Sequence, residues 1–387
     1  MADYTKINGV AAANIAKVDG VAYASIAKCD GATSPSLGAT RWVVATENGF
    51  IAYASNSDRT SWTGYDGVSG DTDNDDIAFG KNNSGAGVYI ATRQGSAREL
   101  TISSTNVTTD AEWTDINLSS TETERIMQIL WGARSDGTAA GTWMAVGDTN
   151  GPGSESNVYR SIDGGANWSA VNLASLTNHA TDDFINGIAS DGQGNWMFAM
   201  DDRIYYSNDD GASFAVSEPF SSDAPGRPQG IVYTNNSWVL CYSRSSAIRF
   251  RSCAASDITD WGSEVDGSGM THLSTEGSVV AMAAANGRVC AISEDGDDLN
   301  HFDVNGKVIS NLTRVNFATL SPNTMGSDKA QDIATDGTTW LIAAIDGDIW
   351  ESTNNGAAWA RIVDGFQADG SNTLNLESIT CDVVLPL

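Results

Sequence analysis

The eight residues SIDGGANW at positions 161–168 recur, with small changes, three more times along the chain. The copies are SNSDRTSW at 55–62, SNDDGASF at 207–214 and STNNGAAW at 352–359. Each begins with Ser, has a polar third residue and ends on an aromatic ring. Ser and Asp side chains can bond turn amides, Gly accepts a left-handed backbone, and the ring can be buried between sheets. The repeat therefore predicts a turn that occurs once in each structural unit.

The residues expected to define this turn occupy its first, third, fifth and eighth positions. They are Ser55 and Trp62; Ser161, Asp163, Gly165 and Trp168; Ser207, Asp209, Gly211 and Phe214; and Ser352, Asn354, Gly356 and Trp359. We predict a structural role for all of them. Stretched versions of the same turn, ten residues long, are expected at 104–113 and 252–261.

A second repeated element is a short apolar segment, such as TWMAVG at residues 142–147. Seven copies begin at Trp42, Val88, Trp143, Trp196, Trp238, Val279 and Trp340. Such continuous apolar runs are typical of strands buried on both faces. Four short strands fit each interval, and radial repetition of four-stranded sheets protects their edges. The sequence predicts an all-β chain whose residues 37–387 form a seven-bladed β-propeller.

The two ends of this propeller complement each other. The first blade, which begins near Arg41, has no convincing first strand of its own. The stretch ITCD at residues 379–382 matches IATD at 333–336, where a first strand is expected. We therefore expect the C-terminal strand to complete blade one and close the ring.

Residues 1–36 carry a different repeat. KINGVAAANIA, KVDGVAYASIA and KCDGATSPSLG begin at Lys6, Lys17 and Lys28, with a period of 11 residues. Such a period is compatible with a right-handed supercoil. The Asn-Gly and Asp-Gly pairs instead favour tight hairpins between short strands. So small a segment buries too little surface to be stable alone, so we predict that it serves attachment or oligomerisation.

Two family resemblances follow from these repeats. The Ser-led turn resembles the Asp-box, or bacterial neuraminidase repeat. Propellers that carry it include sialidases, xyloglucanase-like glycosidases, sorting receptors and photosystem assembly factors, and the Asp boxes themselves do not catalyse in those families. The N-terminal lysine repeats resemble segments at the ends of bacteriophage virion proteins.

Together the resemblances imply a non-catalytic virion component, such as a tail or capsid appendage, assembled in the host cytoplasm. Residues 1–36 would bind other virion proteins, with self-association as a further expectation. The propeller would meet a host-surface glycan or protein. Two alternatives stay open: a glycoside hydrolase of the sialidase or xyloglucanase-like type, and a host assembly factor.

Composition excludes several classes of partner. With 21 Lys and Arg against 49 Asp and Glu, the formal charge is −28, which repels nucleic-acid phosphates. No window approaches the ~18 consecutive apolar residues of a membrane span. The first residues also lack a basic and then apolar signal region. We therefore expect neither nucleic-acid binding nor membrane insertion.

No set of residues predicts catalysis or a cofactor. Resemblance to sialidases implies an arginine triad, but Arg41, Arg59 and Arg93 fall at different strand positions. The spacing of Asp71, Asp73 and Asp75 matches three ligands of a helix-loop-helix calcium loop. However, Asp76 replaces the required Gly, and the twelfth position is not Glu. An acidic, solvated loop is the favoured interpretation, and a calcium site is the alternative.

Binding is expected on one rim of the propeller. In a four-stranded blade, the Ser-led turns and the turns between first and second strands share one rim. The long segments that vary between repeats, 64–76, 148–156, 170–183, 217–227 and 302–329, are assigned mostly to the opposite rim. Length-variable loops on a rigid scaffold often bind partners, although loops also vary where nothing constrains them. The candidate binding residues are Asp148, Asn150, Glu155, Asn178, His179 and Arg227.

Overall fold

The computed structural model describes the propeller and the N-terminal repeat over defined stretches. These are six short strands between residues 6 and 33, followed by 41–66, 74–94, 98–103, 107, 113–119, 126–147, 158–171, 173, 185–200, 203–217, 227–244, 247–271, 281–293, 298–320, 330–367 and 374–383. Within these stretches no helix is long and apolar enough to cross a membrane. The three helical elements described are single 3₁₀ turns at Glu47–Gly49, Phe317–Thr319 and Ile345–Gly347.

Seven four-stranded antiparallel sheets form the blades, as predicted. From the inner strand outwards, blade 1 contains β34 (Leu376–Cys381), β7 (Arg41–Thr46), β8 (Phe50–Ser55) and β9 (Asp58–Asp66); blade 2 contains β10 (Ile77–Lys81), β11 (Gly87–Gln94), β12 (Arg98–Ser103) and β13 (Trp113–Ser119); and blade 3 contains β14 (Ile126–Gly132), β15 (Thr142–Gly147), β16 (Val158–Ser161) and β17 (Ser169–Ala170).

Blades 4 to 7 follow the same order. Blade 4 contains β18 (Ile185–Ser190), β19 (Trp196–Met200), β20 (Arg203–Ser207) and β21 (Ala215–Ser217); blade 5 contains β22 (Arg227–Thr234), β23 (Ser237–Arg244), β24 (Ala247–Ala254) and β25 (Val265–Thr271); blade 6 contains β26 (Met282–Ala285), β27 (Arg288–Ile292), β28 (Asp298–Asn305) and β29 (Val308–Asn316); and blade 7 contains β30 (Ala330–Thr335), β31 (Trp340–Ala344), β32 (Ile349–Ser352) and β33 (Ala360–Val363).

The predicted closure of the ring is confirmed. Strand β34, near the C-terminus, pairs antiparallel with β7, and Ile379 stands opposite Val44. Beyond the strand, the Arg41 N–H donates to Oδ1 of Asp382 at 3.0 Å. Blade 1 is therefore assembled from both ends of the propeller sequence.

Blade 6 differs from the sequence prediction. The apolar run expected as its second strand from Val279 instead contains β26, the first strand of the blade. The second strand is β27, which begins nine residues after Val279. Asn286 has a φ of +53° and Gly287 a φ of +80°, the left-handed conformations of a tight two-residue hairpin turn. Two adjacent apolar runs look alike in sequence, and this turn separates them.

The core lies between neighbouring blades. The tryptophans at the start of the second strands point into the preceding blade, where they are almost completely buried. Trp196, for example, packs with Met144 and Val146 of blade 3. Trp340 packs in the same way with Cys290 and Ile292 of blade 6. Because each blade covers one face of the next, the sheets need no other hydrophobic layer.

The N-terminal repeat forms three antiparallel pairs of two-residue strands, as the Asn-Gly and Asp-Gly pairs predict. The six strands are β1 (Lys6–Ile7), β2 (Val10–Ala11), β3 (Lys17–Val18), β4 (Val21–Ala22), β5 (Lys28–Cys29) and β6 (Ala32–Thr33). The boundary at residue 36 between this segment and the propeller stays a prediction.

Candidate functional site

Most of the predicted rim residues fall outside the described residues. This applies to Asp148, Asn150, Glu155, Asn178 and His179. The sixth candidate is the first residue of β22, although its side chain is not described.

The predicted rim segment 302–329 is partly wrong. Its first half belongs to the regular hairpin of β28 and β29, because the two strands pair from Asp298 to Asn316 around the turn at residues 306–307. Of the calcium candidates, Asp71 and Asp73 lie outside the described residues. Where side chains are described, no group of three or more metal-ligating residues occurs.

Three of the four Ser-led turns share one hydrogen-bond pattern. In blade 3, the Gly165 N–H donates to Ser161 Oγ at 3.1 Å, and the Ser161 hydroxyl donates to Asp163 at 2.8 Å. The Asn167 N–H donates to the same carboxylate at 2.9 Å, and Trp168 Nε1 donates to the Gly165 carbonyl at 2.9 Å. The turns from Ser207 and Ser352 repeat the bonds made by Ser and by the third residue.

The fourth turn, at residues 55–62, is built differently. It is a tight turn at residues 56–57, after which β9 begins at Asp58. Arg59 stands where the other turns have Gly, and its guanidinium pairs with Glu351 of blade 7 at 2.5 Å. Trp62 still donates to the Arg59 carbonyl at 2.8 Å. The turn therefore keeps its aromatic contact and adds a bond to the neighbouring blade.

The carboxylates in these turns are already engaged. Partial burial raises the pKa of Asp163, but the hydrogen bonds from Asn167 and Ser161 outweigh it and leave the pKa below its usual value. Asp209 behaves in the same way, with bonds from Ser213 and Ser207. These acids stay ionised and hold their own turns.

At the centre of the ring is a cavity of about 270 Å³, lined by first strands from all seven blades. These inner strands have one free edge, which faces the channel. In blade 2 the Asp76 carbonyl accepts the Thr92 N–H of β11 at 2.9 Å, so the next N–H, that of Ile77, points away from β11. An unpaired N–H at this depth needs another acceptor.

Four side chains supply such acceptors, and we call them the inner ring: Asp332, Ser378, Asp76 and Gln128. Each immediately precedes an Ile of its first strand and accepts the N–H of the corresponding Ile in the next blade. The bonds are Ile379 N–H to Asp332 Oδ2 at 2.9 Å, Ile77 N–H to Ser378 Oγ at 3.3 Å, Ile129 N–H to Asp76 Oδ2 at 2.7 Å and Ile188 N–H to Gln128 Oε1 at 3.0 Å. They link blades 7, 1, 2, 3 and 4 in succession.

On the other side of the channel, the positions equivalent to the inner ring are occupied by Gly187, Gly230 and Ala281. The side chains at these three positions have no oxygen that could accept such a bond. A Cβ on Gly187 would lie 3.0 Å from the Gly230 Cα and from the Ile231 nitrogen. Blades 4 and 5 thus meet backbone against backbone, and Asn186 Nδ2 donates across them to the Pro228 carbonyl at 2.8 Å.

The inner ring contains two carboxyl groups around one hydroxyl. Ser378 Oγ lies 2.7 Å from Asp332 Oδ2 and 2.8 Å from Asp76 Oδ1. Burial within the ring, and then the charge of Asp332, raise the pKa of Asp76 to about 7. Burial also raises the pKa of Asp332. Both side chains keep partial exposure to the channel, but the surrounding blades remove most of their hydration.

The chemistry open to this pair is limited by its hydrogen bonds. The carboxyl pair of a glycosidase holds a sugar between its two members. Here Ser378 Oγ occupies that space. The Ile77 N–H also donates to Asp76 Oδ1 at 2.8 Å, and the Ile333 N–H donates to Asp332 Oδ1 at 2.7 Å. The geometry suits a structural junction between blades.

Reasoning from the sequence missed the inner ring. Asp76 entered only as the residue that breaks a calcium-loop pattern, and the other three members were not singled out. A usable signal exists, since a polar residue precedes Ile at the start of four first strands: Asp76, Gln128, Asp332 and Ser378.

Comparisons with known proteins identify the fold but no family. No family model matches the chain, and no curated protein matches it significantly. An ancestral GH74 enzyme is similar with a TM-score of 0.53 and 14% identity over 89% of this chain and 45% of that enzyme. Apo AztD from Citrobacter koseri is similar with a TM-score of 0.52 and 12% identity over 89% of this chain and 98% of AztD. YCF48 from Cyanidioschyzon merolae gives a TM-score of 0.46 and 14% identity over 75% of this chain and 84% of YCF48. At these identities the likeness shows the propeller fold alone.

Proposed function

We propose that this chain is a non-catalytic component of a bacteriophage virion, a tail or capsid appendage that presents a β-propeller to a host-surface glycan or protein. The observation that carries the non-catalytic part is the inner ring. The carboxyl pair at the channel is bonded to backbone N–H groups and to Ser378, so its acceptor sites hold blades together. A propeller built in this way is a rigid platform.

The N-terminal repeat supports attachment to a larger assembly. Its three hairpins have strands of only two residues each, and a hairpin of that size is not stable alone in water. Pairing with other copies or with another virion protein would supply the missing partners. The acidic composition agrees with a surface that avoids nucleic acid.

The binding surface we propose is the rim opposite the Ser-led turns. The antiparallel order of each blade places the connections between blades on that rim. Rigid sheets that carry long connections of unequal length are a common arrangement for recognition. On the turn rim, by contrast, the carboxylates of Asp163 and Asp209 are bonded within their own turns.

The direct test is mass spectrometry of purified virions together with cell-binding assays. We expect the full chain in particles and its loss when residues 1–36 are deleted, while the melting temperature of the propeller stays unchanged. Replacing 148–156 by a Gly-Ser turn should reduce host adsorption, and shortening 104–112 on the turn rim is the matched control.

Two results would refute parts of the proposal separately. Absence of the full chain from particles would remove the virion assignment. Turnover of any member of a glycan panel by the purified propeller would remove the non-catalytic assignment and favour the glycoside hydrolase alternative.

A further inference from the structure

We propose that blade 1 is locked into the ring by a single proton that Asp76 and Asp332 share through the Ser378 hydroxyl, so that loss of this proton loosens the closure of the propeller. The three residues come from blades 2, 7 and 1. The lock would make closure of the ring depend on pH in the neutral range.

The number of hydrogens leads to this inference. A serine hydroxyl carries one hydrogen and can donate it to one acceptor only. Two carboxyl oxygens nevertheless lie within 2.8 Å of Ser378 Oγ. One contact uses the serine hydrogen, so the other needs a hydrogen from a protonated carboxyl group. When both carboxyl groups are ionised, Ser378 Oγ shares a hydrogen with only one of them, and it faces the oxygen of the other with no hydrogen between the two atoms.

The position of the site explains why it would matter for closure. Ser378 belongs to β34, the strand that closes the ring, and Ile379 beside it donates to Asp332. On the other side, Ile77 donates to Ser378. The lock therefore joins the first strand of blade 1 to both neighbouring blades along the edge of that strand that faces the channel.

Few other charges act on the pair. Strands β14, β18, β26 and β31 contain no titratable residue. The titratable residues adjacent in sequence, or on the other elements packed against the pair, are Arg41, Asp75, Lys81, Tyr89, Arg93, Arg288, Cys290, Asp346, Glu377 and Cys381. Arg288 on β27 pairs with Asp303. Arg41 lies over the Tyr53 ring, Lys81 lies over the Trp131 ring, and Arg93 pairs with an acid on β13. The charge that raises the pKa of Asp76 is that of Asp332.

The chain contains its own control for this lock. Gln128 occupies the same position in blade 3 and accepts the Ile188 N–H at 3.0 Å through a neutral amide. This bond has the same geometry as the one made by Asp332 but cannot titrate. Any effect of pH on general opening of the ring would appear equally at Ile188 and at Ile379.

The experiment is residue-resolved hydrogen exchange of the full chain between pH 5.5 and 8.5, corrected for intrinsic exchange rates. We expect the protection factors of the Ile77 and Ile379 amides to fall about tenfold or more across this range, since one pKa unit corresponds to a tenfold change. The protection factor of the Ile188 amide should stay constant. Equal changes at all three amides, or no change, would overturn the proposal.

A spectroscopic readout keeps the test independent of the variants' stability. Infrared spectra of the wild-type protein at pH 6 should contain the carbonyl stretch of a protonated, buried carboxylic acid, and titration to pH 8.5 should remove it. Asp76→Asn should lack this band and should have pH-independent protection at Ile379. Glu99→Gln, at a position on β12, the third strand of blade 2, is the matched control and should keep both signals. Absence of the band in the wild-type protein would refute the shared proton.

Discussion

Deleting residues 378–387 tests the closure of the ring most directly. The deletion removes most of β34, including Ile379 and Cys381, which are 3% and 5% exposed. It also removes the partners of Val44, Val43 and Trp42 in β7. The second strand, β7, would then face the channel with an open edge.

The cost can be worked from these contacts. Loss of the buried Ile and Cys side chains costs about 3 kcal/mol at the usual value for apolar burial. The lost pairing with β7 and the lost bonds to the inner ring add about 1 kcal/mol for each hydrogen bond. The total of about 5–8 kcal/mol is comparable to the whole stability of a typical domain, which is about 5–15 kcal/mol.

Circular dichroism during thermal unfolding is a suitable assay. We expect the shortened chain to be insoluble, or to melt far below the full chain, at equal concentration and pH. A deletion of residues 384–387 leaves β34 intact and is the matched control. An unchanged melting temperature after deletion of 378–387 would refute the closure of the ring by β34.

Three further predictions concern single sites. Because the pKa of Asp76 is higher in the fold than its usual value of 3.8, the folded state binds the proton more tightly. The contribution of this proton to stability should be complete below pH 4 and should decline as pH rises to about 7, by at most about 1.4 kcal/mol per pH unit. Denaturant unfolding curves recorded from pH 4.5 to 8 would show this slope, and the slope should vanish in Asp76→Asn. Asp209→Ala removes the bonds that hold a Ser-led turn and should cost about 1–2 kcal/mol, whereas Asn208→Ala, at an exposed position in the same turn, should cost almost nothing; equal losses would argue against the turn geometry. Gly187→Ala places a methyl group against the backbone of blade 5 and should cost about 1–3 kcal/mol, which chemical denaturation can measure against Ala281→Gly as a control that adds no atoms; a neutral Gly187→Ala would mean that the blades separate easily.

Local chemistry determined the repeating parts of this protein. The apolar runs, five of them led by Trp, predict six of the seven second strands, because a strand buried on both faces needs continuous apolar residues whatever its neighbours are. Ser161, Asp163 and Gly165 make their turn bonds within one short segment, so their pattern is readable in sequence. The match between ITCD and IATD predicts the closing strand for the same reason.

Tertiary structure alone decided what happens at the channel. Asp76 and Asp332 are 256 positions apart in the chain, yet both lie against Ser378 because the ring brings blades 7 and 2 to the two sides of blade 1. Their pKa values depend on burial by all of these blades, which no local pattern records. The same limit explains blade 6, where two neighbouring apolar runs are equally strand-like and only the pairing of β26 with β27 shows which is the inner strand. Contacts made within a segment can be predicted from its residues, whereas contacts made by closing a ring depend on where distant segments meet.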